Sequence, residues 1–218
     1  MFSVRKALQG AGSPEDRYRG CLVEARRFLD TTSPEALLEC LFERQDLRRL
    51  VLDLVQNVLH VGFMVPGTSL TFSRMSALAE EAGFGSRHSF FESTVIAREL
   101  GGLAGRPQVA TTIFSAHAPD RDGRSVYVET FIPCGAGSIE EAWIAEEVGT
   151  HVGLTLADQA GLPAVGEAFL AEGFRIPPFM RDQAIANDGK GVTVVYFEKT
   201  RPGGIPRVEI LAWGGPAG

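Results

Sequence analysis

The stretch His60-Val61-Gly62-Phe63-Met64-Val65 returns later in the chain as His151-Val152-Gly153-Leu154-Thr155-Leu156. Each copy alternates as a strand does, and each begins on a histidine. A shared triplet alone would mean little in 218 residues, but the downstream spacings repeat with it. Each copy leads into a helix-like stretch that ends in Gly-Phe, at Gly83-Phe84 and at Gly173-Phe174. From His to that glycine is 23 residues in the first copy and 22 in the second. Each copy then reaches a strand carrying a glutamate, Tyr127-Val128-Glu129-Thr130-Phe131 and Arg207-Val208-Glu209-Ile210-Leu211. From His to Glu is 69 residues and 58 residues. One insertion, about 86–105 and read as a helix over Ser89–Leu100, accounts for the longer first copy. Element order and glutamate parity agree, so the chain reads as an internal duplication.

Upstream of the repeat, residues 1–57 read as a helical extension. Ser13-Pro14-Glu15-Asp16 and Ser33-Pro34-Glu35 each place an N-cap, a proline at the first helical position and acids at the helix N-terminus. Helical spacing carries the second of these helices through Ala36–Leu59. The first module spans 58–134, a linker helix falls within 135–149, and the second module spans 150–218. In the second module the order is strand His151–Leu156, helix Pro163–Glu172, strand Val192–Phe197, a turn at Pro202-Gly203-Gly204 and strand Arg207–Trp213.

Alternation puts Tyr127, Glu129 and Phe131 on one strand face, and Arg207, Glu209 and Leu211 on another. A carboxylate flanked by large apolar residues is costly to bury unless it is paired or bound to metal. A divalent cation with two carboxylates is close to neutral, and two neutral imidazoles complete a basal set. The metal ligands are therefore expected to be His60, Glu129, His151 and Glu209, on Fe, Zn, Ni, Mn or Co.

The β-α-β-β-β order in tandem, with His on the first strand and Glu on the last, resembles the vicinal oxygen chelate superfamily. That superfamily includes glyoxalase I, extradiol dioxygenases, fosfomycin-resistance enzymes and bleomycin-binding proteins. The resemblance covers about residues 58–214. It implies an α+β fold of two tandem βαβββ modules, forming a curved mixed sheet around a metal cavity, with the N-terminal helices outside it. His60, Glu129, His151 and Glu209 fall where glyoxalase I places its ligands. The dioxygenase pattern would instead use His60, His151 and Glu209, or a set drawn with His117, and leave Glu129 spare. The helical lead-in also resembles the 2-oxoadipate dioxygenases of this fold. The arginine expected four residues after their first histidine is Met64 here.

Four functions are compatible with this pattern, one of them a scaffold whose helical N-terminal part docks a partner. A glyoxalase-type lyase or isomerase would chelate a small oxygen-rich substrate on the metal and use Glu129 or Glu209 as base. A non-haem Fe(II) dioxygenase would tolerate loss of Glu129. A metal-free protein would sequester a small molecule. His117, after Phe114-Ser115-Ala116, is either a turn residue or a further acid/base group. His88 reads as a helix start. Arg74, Arg98, Arg175 or Arg181 could clamp a substrate carboxylate. Tyr196, Phe197, Phe179 and Trp213 read as core, and Cys134 as a small buried hydrophobe.

Composition narrows the partners. Net charge is −6, from 21 basic and 27 acidic residues, which argues against nucleic acid or an anionic membrane surface. No apolar run is long enough to span a bilayer, and no secretory pattern is read at Met1, so the expected location is cytoplasmic. Three scattered cysteines make no disulfide framework. No G-x-G-x-x-G lies between strand and helix, so a dinucleotide cofactor has no support. The expected partner is a small-molecule substrate, with a homodimer left open.

Overall fold

A computed structural model describes residues 2–9, 12–66, 70–135, 139–178, 191–199 and 207–213. Its elements in chain order are helices α1 (Arg5–Leu8), α2 (Pro14–Thr31), α3 (Pro34–Leu41) and α4 (Gln45–Leu54), then strand β1 (Val55–Met64). They continue as α5 (Phe72–Glu81), β2 (His88–Glu92), α6 (Thr94–Leu103), β3 (Thr111–Pro119), β4 (Ser125–Pro133) and α7 (Ile139–Ala145). The last elements are β5 (His151–Leu156), α8 (Leu162–Ala171), β6 (Val192–Glu198) and β7 (Arg207–Trp213). The fold is α+β, with a mixed seven-stranded sheet in the order β2-β3-β4-β1-β5-β7-β6.

The duplication is visible in the pairing. β1 runs parallel to β4, which pairs antiparallel with β3, and β3 antiparallel with β2. β5 runs parallel to β7, and β7 pairs antiparallel with β6. Where a fourth strand would come, Arg175 forms a single antiparallel bridge to Glu198. The helices of the two modules end alike. Gly83 at φ +89° and Gly173 at φ +90° occupy the left-handed region, where a side chain would be strained. Past them, the N–H of Phe84 donates to the carbonyl of Ala79, and that of Phe174 to the carbonyl of Phe169, both at 2.9 Å. Both phenylalanines are buried. This is a Schellman stop with its hydrophobic anchor, built twice.

The chain divides into two compact units, one of residues 2–31 and 60–150, the other of 32–59 and 151–218. In the first, α2 covers one sheet face. Tyr18 packs on Phe63 at 6.2 Å, and its hydroxyl shares a 3.2 Å hydrogen bond with Thr130. The opposite face carries Met64, Ile113 and Phe131, which form one apolar cluster with Ile96 and Leu100 of α6 and Trp143 and Ile144 of α7. In the second unit, Phe169 of α8 stacks on Phe197 at 4.8 Å and meets Phe42 and Phe174 edge-on. The Glu172 carboxylate accepts from the backbone N–H of Glu43 and of Arg44, just before α4. Burial works against that carboxylate. The two backbone N–H groups and Lys199 outweigh it and hold the pKa below the ordinary value.

The structure departs from the sequence pattern in several places. The helix expected through Leu59 ends at Leu54, because Val55–Leu59 joins β1. Leu54 and Val58 fit helical spacing, but strand pairing decides. The inserted helix expected about 86–105 is strand β2 followed by α6, with the Ser93 hydroxyl capping α6 at the N–H of Ile96. Cys134 and Trp213 are exposed, while Tyr196 and Phe197 are buried as expected. Phe179, Arg181 and the turn at 202–204 lie outside the described residues. Among the described residues no helix is long and apolar enough to cross a membrane.

Phe169 is the centre of the second unit's aromatic packing. Phe169→Ala is expected to lower unfolding free energy by about 3–5 kcal/mol in urea titrations, against under ~0.5 kcal/mol for Val23→Ala at a half-exposed site. Similar midpoints for the two variants would contradict this packing.

Candidate metal centre

In the first unit, the parallel register sets Gly62 of β1 beside Glu129 of β4, and His60 beside Tyr127. Partners in register share a face, so His60, Gly62, Tyr127 and Glu129 all project from the same side of the sheet. The glycine contributes no side chain there. His60 is fully buried and Glu129 is 8% exposed. The Tyr127 ring stacks on the His60 ring at 4.7 Å and 14°. Across β3, Ser115 stands beside Glu129 and His117 beside Tyr127. The His117 ring lies 5.0 Å from Tyr127, and its Nε2 shares a 3.3 Å hydrogen bond with the Ser115 hydroxyl. The apolar cluster under α6 and α7 fills the other end of this face, around Met64, Ile113 and Phe131. Polar groups are thereby confined to one end.

The second unit repeats the arrangement. Gly153 of β5 stands beside Glu209 of β7, in the same register as Gly62 and Glu129. His151 is 1% exposed and Glu209 6%. His151 Nε2 lies 3.2 Å from Glu209 Oε2. Tyr196 of β6 stands beside Glu209 and meets His151 edge-on at 5.4 Å. Two residues before Glu209, buried Arg207 pairs with Glu198 at 3.2 Å, and Arg175 pairs with the other Glu198 oxygen at 2.9 Å. The Arg207–Glu198 position in this unit is the Tyr127–His117 position of the first.

Each unit therefore presents a buried histidine and a buried glutamate on one sheet face. Imidazole nitrogen and carboxylate oxygen are the donors that zinc, iron, nickel, manganese and cobalt accept, so the residues fit a divalent metal. Strand pairing fixes the backbone that carries each of these side chains. A cation would also offset the cost of a carboxylate at this depth.

The other residues named from the sequence fall elsewhere. His117 is half-buried on the same face as Glu129, inside a strand and not in a turn. Burial lowers its pKa below the ordinary histidine value, and the charges of Arg87 and His88 add to that. His88 begins β2 rather than a helix, with its ring against Phe114. Arg74 is bonded to Glu15 of α2 at 2.7 Å and to Glu81 at 3.5 Å, tying α2 to α5. Arg98 sits half-buried on α6. Sequence reasoning passed over Ser115. Its even spacing from His117 is the signal that places both beside Glu129 and Tyr127.

Solved structures similar to this chain include three single-residue variants of Streptomyces coelicolor methylmalonyl-CoA epimerase in complex with 2-nitronate-propionyl-CoA. Two of them are 15% identical, cover 74% of this chain and 99% of their own, and give a TM-score of 0.42. The third is 15% identical over 73% and 95%, with a TM-score of 0.43. A likeness of that degree says nothing of substrate or reaction. No family model matches the chain, and no curated protein matches it.

His117 is neutral in preference to charged in the folded state. Its imidazole is expected to titrate below the ordinary value of about 6.5 in NMR of the metal-free protein. Because the folded pKa lies below the unfolded one, this group costs stability as pH falls through and below the unfolded value. A midpoint above 6.5 would contradict the buried, cation-flanked setting.

Proposed function

We propose that His60, Glu129, His151 and Glu209 together hold one divalent metal ion, and that the protein is a glyoxalase-type lyase or isomerase. The substrate would be a small oxygen-rich molecule that presents two neighbouring oxygens to the metal. The observation that supports this reading is the register. Glu129 beside Gly62 and Glu209 beside Gly153 are equivalent in their modules, and each is buried with a histidine at the same offset. Equivalence favours two ligating glutamates over a three-residue face that leaves Glu129 spare. The resemblance to vicinal oxygen chelate proteins falls on the same four positions.

A bound divalent cation would supply Lewis-acid polarisation of the substrate's oxygens and so acidify the adjacent C–H. The chain's own part is proton movement. Glu129 or Glu209 accepts the proton from carbon and returns it to the neighbouring atom, acting in turn as base and acid. His117 stands on the same face as Glu129, half-buried with its Nε2 bonded to the Ser115 hydroxyl, a position from which it can pass a proton between the site face and solvent. The apolar cluster of α6 and α7 keeps water from one end of that face.

The test is solvent deuterium exchange. Metal-reconstituted protein is incubated in D2O with 2-oxo acids, 2-hydroxy ketones and hemithioacetals, and the α C–H signal is followed by NMR. Wild type is expected to exchange at least one of them. Glu129→Gln and Glu209→Gln are each expected to slow exchange by about 10²-fold or more while most metal stays bound. Oxygen uptake on Fe(II) with Glu129→Gln tolerated would overturn the reading, and would mark a dioxygenase using His60, His151 and Glu209. Ligand binding unaffected by chelator, with no exchange, would overturn it in favour of a metal-free binding protein.

A further inference from the structure

β2 is the first strand in the sheet order, and among the described strands it pairs with β3 alone. Its sequence is His88-Ser89-Phe90-Phe91-Glu92. Edge strands in soluble proteins are usually blunted by lysine, proline or a bulge. This one is short and ends in Glu92, but it has no lysine or proline and carries adjacent aromatics. Phe90 is 41% exposed, and Phe72 of α5, beside it at 4.3 Å, is 50% exposed.

The backbone bonds at either end fix which groups point outward. The N–H of His117 donates to the carbonyl of Arg87, and the N–H of Ser93 donates to the carbonyl of Thr111. Antiparallel bonding alternates, so residues 87, 89, 91 and 93 bond toward β3. His88, Phe90 and Glu92 therefore turn their N–H and C=O groups to the outer edge. Those same three side chains share one face.

We propose that this edge pairs with β2 of a second copy of the chain, antiparallel about a two-fold axis through Phe90. In that register Phe90 exchanges both backbone hydrogen bonds with its equivalent, and His88 stands opposite Glu92 on each side. Outward residues meet outward residues throughout, so the ladder is complete. The imidazole-to-carboxylate pairing, made through Nδ1 because Nε2 is buried, selects this register. A one-residue shift of the axis to Ser89 or Phe91 would keep the backbone bonds but leave either Glu92 or His88 without its opposite. The four rings of Phe72 and Phe90 from the two copies then gather on one face, covering aromatic area that each copy alone leaves to water. The strand is five residues long, so the interface is small and the dimer weak, dissociating in the micromolar range.

The test is sedimentation equilibrium of the full chain from about 1 to about 300 µM, a range that brackets the expected Kd, in ~0.1 M salt at neutral pH. Wild type is expected to pass from monomer to dimer over that range. Phe90→Lys is expected to raise the Kd at least about 30-fold, the factor that a ~2 kcal/mol interface anchor carries. His88→Glu should weaken association by setting carboxylate against carboxylate, and the swap His88→Glu with Glu92→His should restore it. Circular dichroism and the thermal midpoint of the monomeric forms control for folding. Wild type that stays monomeric to the top of the range would overturn the proposal. A dimer indifferent to Phe90→Lys, or a charge swap that fails to rescue, would also overturn it.

Discussion

Two carboxylates, Glu129 and Glu209, lie almost entirely out of water on strands whose neighbours are aliphatic and aromatic. Charge at that depth is tolerated only with a specific partner, and the layout of both modules serves that need. The parallel pairings of β1 with β4 and of β5 with β7 set each glutamate beside a glycine and two residues from a histidine. Tyrosine rings, Tyr127 on His60 and Tyr196 on His151, hold the imidazoles. In the second unit His151 Nε2 lies 3.2 Å from Glu209 Oε2. A divalent cation held as proposed would offset the cost of these buried charges.

The repeat is legible in the sequence because its determinants are local. Gly-Phe after each helix is a helix stop, and the structure forms it twice with the same hydrogen bonds. Strands β5 and β7 have the bounds the alternation predicts. Parity on β4 and β7 is enough to place Glu129 and Glu209 on faces with their aromatic neighbours. Alternation cannot show the parallel register itself, since that depends on which strand lies beside which. The equivalence of Gly62–Glu129 with Gly153–Glu209 therefore emerges only from the fold.

The stretches whose structure departs from their pattern share a cause. Val55–Leu59 satisfies both a helical and an alternating pattern, and its fate is decided by neighbouring strands far away in sequence. His88-Ser89-Phe90-Phe91 looks like the start of a helix until β3 is present to pair with it. The lead-in helices likewise give no sign of their destinations. α2 packs in the first unit against Phe63 and Thr130, while α4 packs with α8 in the second. His117 looks like a turn residue because Pro119 and a loop come soon after it, yet β3 carries it in register with Tyr127.

If two histidine–glutamate pairs, one from each module, serve a single metal, the stoichiometry of that metal must show it. Elemental analysis of tag-free protein purified anaerobically, for wild type, His60→Ala and His151→Ala, reads that stoichiometry. One metal per chain, lost in both variants, is the expected result. Two metals per chain, with each variant losing only one, would contradict the shared site, as would full retention of metal in either variant.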